Sequence, residues 1–168
     1  QRVIPILDDV TDAERTKRLE VFFPRVKLDS KLVLKFMINR DFAQSNRWTK
    51  ACVLFQIGIL RIVDFKLDLI AQIFNPDPLI REVSAWALHQ HDPAEYESNT
   101  RRLGEGLKRD LDALIILSKK MTRFEMVLFF QKTNFFEKIP GITLSYLSDI
   151  SEEIRIKEKD SLILDEKH

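Results

Sequence analysis

The segment Arg-Trp-Thr-Lys-Ala-Cys-Val-Leu-Phe-Gln at 47–56 returns at 81–90 as Arg-Glu-Val-Ser-Ala-Trp-Ala-Leu-His-Gln. Arg, Ala, Leu and Gln recur in register. The two copies start 34 residues apart, within the range of about 20–50 residues that is typical of repeat arrays. Each copy carries apolar residues at helical spacing, which predicts an amphipathic α-helix. A single helical hairpin cannot bury its apolar face alone, so the repetition predicts hairpins stacked on one another.

Capping residues mark the predicted ends of these helices. Ser45 or Asn46 precedes the first copy as an N-cap, and Gly58 follows it as a possible left-handed C-terminal residue. The second copy opens with Asp77-Pro78 and closes at His91-Asp92-Pro93, where an N-cap is again followed by proline. Beyond it, a more polar helix is expected to Leu103, with Gly104 and Gly106 breaking the pattern before another helix over 107–118.

The predicted fold class is therefore mainly α, an α-α superhelix of helical hairpins. Equivalent positions in the two copies should pack against neighbouring helices, and the small side chain at the centre should let the helices approach closely. These repeat-packing residues are Arg47, Ala51, Leu54, Arg81, Ala85 and Leu88.

The run Asn-Pro-Asp-Pro-Leu-Ile-Arg-Glu-Val-Ser-Ala-Trp-Ala-Leu at 75–88 resembles the second helix of a HEAT repeat, an armadillo-like helical unit. The likeness covers about 29–91, although the copy at 47–58 lacks the Asp-Pro opening. The resemblance implies a scaffold that presents a helical surface to another protein, or to other domains of its parent chain. It seldom implies catalysis.

The last quarter changes character, since a helix, a Phe-rich turn and a second helix give way to period-two alternation, which is typical of a strand. This order resembles the start of a cyclic-nucleotide-binding domain. The matching features are Leu128-Phe129, Phe135-Phe136, Leu144 with Leu147, Ile154-Arg155-Ile156 and Leu162-Ile163-Leu164. Lys159-Asp160-Ser161 stands where that family usually has a Gly turn. A plain capping hairpin with a tail is the alternative.

This resemblance implies two domains, a HEAT-like repeat domain at 1–120 and a truncated β-roll with a short β element at 121–168. Phe129, Phe130, Phe135 and Phe136 would then lie at the module junction. The family grips its ligand through a later Gly-Glu motif and an Arg, so no cyclic nucleotide is expected to bind this chain. Beginning at Gln1, the chain is expected to be a piece of a longer protein, and a sensory module whose cyclic-nucleotide site lies beyond this piece is an alternative function.

Composition excludes several functional classes. The 27 basic and 26 acidic residues leave a net charge of +1, which gives no overall attraction to nucleic acid or anionic membranes. Cys52 is the single cysteine and fits a reducing compartment. His89 and His91 diverge by about 200° on a helix and cannot chelate one ion together. Since no phosphate loop or hydrolase motif occurs, we expect no enzyme, no cofactor and no metal.

Two alternatives compete with the protein-binding scaffold. Basic pairs over 101–123 could bind nucleic acid, but acidic residues interleave with them, which favours a solvated face. The apolar run at 127–130 could touch a membrane, although burial is its ordinary explanation. Trp48 and Trp86 are expected to fill the core. HEAT-like repeats followed by such a β-roll resemble the tails of bacterial proteins related to ATP/ADP translocases, which implies a cytoplasmic location, possibly as part of a membrane protein.

Overall fold

A computed structural model describes residues 42–153 together with Leu34, Ile38 and Asn39. Seven α-helices make up most of this part of the chain, and no strand occurs within it. They are α1 (Arg47–Leu60), α2 (Lys66–Ile73), α3 (Pro78–His91), α4 (Pro93–Thr100), α5 (Glu105–Ile115), α6 (Arg123–Gln131) and α7 (Gly141–Ile150). Short 3-10 helices precede α1, α2 and α5 at Phe42–Gln44, Val63–Phe65 and Arg101–Leu103. The strands predicted at 154–156 and 162–164 lie outside the described residues.

Side-chain caps fix the starts of the central helices. The Asn46 side chain accepts a hydrogen bond from the backbone N–H of Thr49 at 2.8 Å and so opens α1. Asp77 opens α3 by accepting from the N–H of Leu79 at 2.9 Å, with proline as the first helical residue. Asp92 ends α3 and caps α4, so that α4 begins directly after α3. Each cap satisfies backbone donors that a helix start otherwise leaves open.

The predicted end of α1 at Gly58 is wrong. The helix continues to Leu60, and Arg61 takes the left-handed position at φ 47°, with its N–H bonded to the carbonyl oxygen of Gly58. Gly58 lies inside the helix because Trp86 of α3 packs on it. A Cβ added there would stand 2.6 Å from Cζ3 of Trp86.

The predicted break before α5 is right at one glycine and wrong at the other. Gly104 stands just before the helix at φ 89°, a left-handed conformation that glycine adopts without strain. Gly106 is the second residue of α5 and continues the helix. The helix ends at Ile115, earlier than the predicted 118.

Helix α3 is the centre of the packing. Its most extensive neighbours are α1 and α2, and it also contacts α4, α5 and α6. Both copies of the repeated segment are helical and lie against each other. The small and leucine positions of the repeat are fully buried in one core: Ala51, Leu54, Ala85 and Leu88.

Helices α6 and α7 pack on each other and against α3 and α1, respectively. Phe124, Val127 and Leu144 carry their apolar faces into the same core that surrounds Trp48. The predicted domain boundary after residue 120 falls in the connection between α5 and α6. The helices on both sides of this position share a core. The boundary itself stays a prediction.

Candidate functional site

The two arginines of the repeat occupy equivalent positions but have different partners. Arg47 donates through Nη2 to Asp77 Oδ1 at 2.8 Å and to Asp149 Oδ1 at 3.2 Å, and its Nη1 also pairs with Asp149. Arg81 instead donates through Nη1 to the carbonyl oxygen of Asn75 at 2.9 Å. Arg47 therefore joins three helices, whereas Arg81 closes the loop that precedes its own helix.

An ion-pair chain extends from Arg47 through the molecule, and we define it as Glu82, Arg123, Asp149, Arg47 and Asp77. Arg123 donates from its backbone N–H to Glu82 Oε2 at 2.8 Å, pairs with Glu82 through Nη1, and donates from Nε to Asp149 Oδ1 at 3.1 Å. The carboxylates and guanidinium groups alternate, so each charge has an opposite neighbour. The chain connects α1, α3, α6 and α7.

The pKa values of Glu82 and Asp149, two carboxyl groups of the ion-pair chain, are shifted in opposite directions. Glu82 is only 4% exposed, and burial raises its pKa above the ordinary 4.5 although the N–H and the charge of Arg123 act to lower it. Burial would also raise the pKa of Asp149, but the hydrogen bond and charge of Arg47, together with Arg123, lower it below the ordinary 3.8. Asp149 is therefore the member that the ion pairs hold in its charged form.

A cleft of about 460 Å³ lies beside the ion-pair chain, between α3, α5, α6 and the end of α7. Its lining combines charged groups with the apolar side chains of Leu111 and Met126. Two of the lining carboxylates are already paired, since Glu82 accepts from the N–H of Arg123 and Glu153 Oε2 accepts from the N–H of Met121 at 2.7 Å. These hydrogen bonds join lining residues to one another, so the groups serve to hold the fold together.

A second, smaller cavity of about 250 Å³ is almost entirely apolar. We call it the aromatic slot; it is lined by Phe55 of α1, Val83 and Trp86 of α3, the N-cap Thr122, and Phe124, Glu125 and Leu128 of α6. Its rings are stacked: Phe55 lies 4.8 Å from Trp86 and 4.4 Å from Phe124, centroid to centroid. Trp48 stacks on the far side of Phe124 at 5.0 Å.

The tryptophans differ in their surroundings. Trp48 is buried at 1% exposure and fills the core, as expected. Trp86 is partly exposed and forms a wall of the aromatic slot. The slot as a whole is not visible in the local sequence, because Phe55, Trp86 and Phe124 come from distant segments. One part of the slot can be recognised from the sequence, because Thr122-x-x-Glu125 has the signature of a capping box.

The four phenylalanines predicted at a module junction form one connected group at the end of α6 and in the loop after it. Phe130 contacts Phe129 at 6.2 Å and Phe136 at 5.3 Å, and Phe136 meets Phe135 edge-on at 4.8 Å. Phe129 is 54% and Phe135 83% exposed, while the other two are partly buried. The segment that would cover them in a junction lies outside the described residues, so the junction stays a prediction.

Three of the basic side chains over 101–123 pair with acidic neighbours, namely Arg101, Lys108 and Arg123. Arg101 pairs with Glu97 at 3.0 Å, and Lys108 pairs with Glu97 at 3.0 Å and with Asp112 at 2.6 Å. Arg123 belongs to the ion-pair chain. Nucleic-acid binding through this face would have to compete with these pairs and stays a prediction.

The two histidines and the cysteine have separate environments. The ring of His89 meets Tyr96 edge-on at 5.2 Å, whereas Nε2 of His91 lies 3.1 Å from the carbonyl oxygen of Ile57. Cys52 is partly buried on α1. Within the described residues, no three His, Cys, Asp or Glu side chains come together in a group that could hold a metal ion.

Comparisons of the chain with protein-family models, curated proteins and solved structures return no match. Of the helices in the described part, none has the length and apolar character needed to cross a bilayer. The contacts, cavities and charges set out above are therefore the basis for a functional proposal.

Proposed function

We propose that this chain is a non-catalytic scaffold or regulatory protein-interaction module, built from HEAT-like helix pairs and working in the cytoplasm. The observation that supports it is the packing of α1, α2 and α3. The two copies of the repeated segment lie against each other, and α2, the helix between them in sequence, packs on the second copy. A HEAT-like stack requires this arrangement, in which each repeat covers the apolar face of its neighbour.

The ion pairs agree with a scaffold role. The ion-pair chain satisfies its charges internally and connects helices that are far apart in sequence, so it stabilises a fixed shape. A rigid helical surface costs little conformational entropy when a partner binds. The partner in this proposal is another protein, or other domains of the parent chain.

The C-terminal pair α6 and α7 has a further role in the proposal, as the start of a cyclic-nucleotide-binding-like module. The exposed rings of Phe129 and Phe135 support it, since exposed aromatic groups are costly unless a neighbouring surface covers them. The module would transmit a signal to the helical stack.

Capture from an extract tests the scaffold proposal. The immobilised chain should retain a protein from an extract of the source cells, and soluble folded chain should release it by competition. A heparin column supplies the contrast: the scaffold should elute at low salt, because the net charge of the chain is only +1. Strong heparin retention that falls steeply with salt, with no protein captured, would contradict the proposal and favour nucleic-acid binding.

A further inference from the structure

We propose that the aromatic slot is the anchor site for one aromatic side chain of a protein partner, with a basic residue next to that anchor. This inference rests on the proposed protein-binding function and assigns it a site. The slot is apolar at its walls and carries a carboxylate in its lining, which together specify an aromatic group beside a positive charge.

The walls of the slot are fixed before any partner arrives. Phe55 stands between Trp86 and Phe124 in near-parallel stacks, with interplanar angles of 19° and 28°. Gly58 lies behind Trp86. Because Gly58 has no side chain, the indole can pack directly against α1. A preformed apolar cavity binds without the cost of ordering its own side chains.

The size of the slot favours a side chain over a free ligand. Small-molecule sites usually measure about 300–1,000 Å³, and the slot at about 250 Å³ falls below that range. A single phenylalanine or tryptophan ring fits within it. Aromatic side chains that fill such pockets are the residues that most often dominate binding at protein interfaces.

The charge comes from Glu125. In the capping box at the start of α6, Glu125 Oε2 accepts from the N–H of Thr122 at 2.7 Å and from its hydroxyl at 2.9 Å. Within residues 42–153, both hydrogen bonds that hold this carboxylate use Oε2, so Oε1 is left for a cation. The side chain is exposed, and a basic residue flanking the anchor can reach it.

Fluorine NMR with two short peptides tests the assignment. The probes are Ac-Lys-(4-fluoro-Phe)-Lys-NH2 and its charge-reversed counterpart Ac-Glu-(4-fluoro-Phe)-Glu-NH2, titrated with the purified chain. We expect the lysine peptide to bind more tightly, seen as stronger broadening and shift of its fluorine signal. Leu128→Trp, which fills the slot from α6, should abolish the effect.

Glu125→Gln isolates the charge, because glutamine also serves in a capping box and α6 keeps its cap. This variant should weaken binding of the lysine peptide about two- to fivefold, the size of an exposed ion pair, and leave the glutamate peptide no weaker. Val63→Ser, at an exposed residue that does not line the slot, should change neither. Thermal unfolding of each variant verifies that the fold is retained.

Several outcomes would overturn the anchor site: no broadening with either peptide, equal affinity for both, or full binding by a folded Leu128→Trp variant. The capture experiment separates this failure from failure of the scaffold. If folded Leu128→Trp still captures the same protein from the extract, the scaffold function stands and the partner uses another surface.

Discussion

Two glycines inside helices show how single residues set the distance between neighbouring elements. Gly58 faces Trp86, and Gly141, the first residue of α7, faces Trp48. In both places an indole occupies the volume that a side chain would need. A glycine inside a helix normally costs about 0.5–1 kcal/mol relative to alanine, so the close approach of the indole must more than offset that cost.

Gly141→Ala should therefore destabilise the protein. The new Cβ would stand 2.1 Å from Nε1 of the buried Trp48, and overpacking of this kind costs about 1–3 kcal/mol. Thermal unfolding measures the change. Gly106→Ala is the matched control, because a Cβ at Gly106 meets nothing within 4 Å and should leave the stability equal or higher. Equal melting temperatures for wild type and Gly141→Ala would contradict the packing described.

At the scale of elements, the contact between α1 and α3 holds the fold together. Ala51 and Ala85 are fully buried on the two helices, and Leu54 and Leu88 lie in the same core. A small residue in the middle of each helix permits a short distance between the helix axes. The repeat in the sequence thus corresponds to a packing surface.

Ala85→Phe should lower the stability by about 1–3 kcal/mol, since a ring cannot enter a fully buried alanine site without displacing its neighbours. Chemical denaturation gives the free energy of unfolding. Ala113→Phe on α5 is the control, because Ala113 lines the cleft of about 460 Å³ and a ring there has room. An equal loss of unfolding free energy in both variants would contradict the close packing of α1 on α3.

The sequence predicts the starts of α1, α3 and α4 well and the ends of α1 and α5 badly, for a physical reason. Caps such as Asn46, Asp77 and Asp92 act on backbone groups within three residues, so the local sequence contains them. The role of Gly58 depends on Trp86, which belongs to another helix. Its position near the end of an apolar run looks like a C-terminal signal, and only the tertiary contact shows otherwise.

For the whole molecule, the ion-pair chain connects elements that lie far apart in sequence. Its members come from four helices and one cap, so no short motif announces them. Sequence comparison of the repeats identifies Arg47 but neither Asp149 nor Glu82. The aromatic slot is unpredictable for the same reason, since its rings meet only after α1, α3 and α6 have packed.

Asp149→Asn should make the stability less dependent on acid. The pKa of Asp149 is lowered in the folded protein, so its stabilising contribution is fully present above pH 3.8 and is lost as the pH falls below the folded value. At neutral pH the variant should lose about 1 kcal/mol, a figure reduced for partial exposure. Melting temperatures between pH 7 and pH 2 measure the gap between variant and wild type.

That gap should be constant above pH 3.8 and close in stronger acid. Glu82 changes stability in the opposite sense, because its raised pKa makes protonation favour the folded state as the pH falls. Its contribution is present in both proteins and cancels to first order in the difference. A gap that stays open down to pH 2 would contradict the ion-pair assignment.

The position of Asp149 along the chain has a consequence for biosynthesis. Arg47 is 30 residues ahead of Asp77 but 102 residues ahead of Asp149. At about 5–20 residues per second, a ribosome needs roughly 4–14 s to proceed from Asp77 to Asp149. During that interval Asp77 alone can neutralise the Arg47 guanidinium. The nascent chain therefore has a temporary ion pair, which Asp149 completes once α7 emerges.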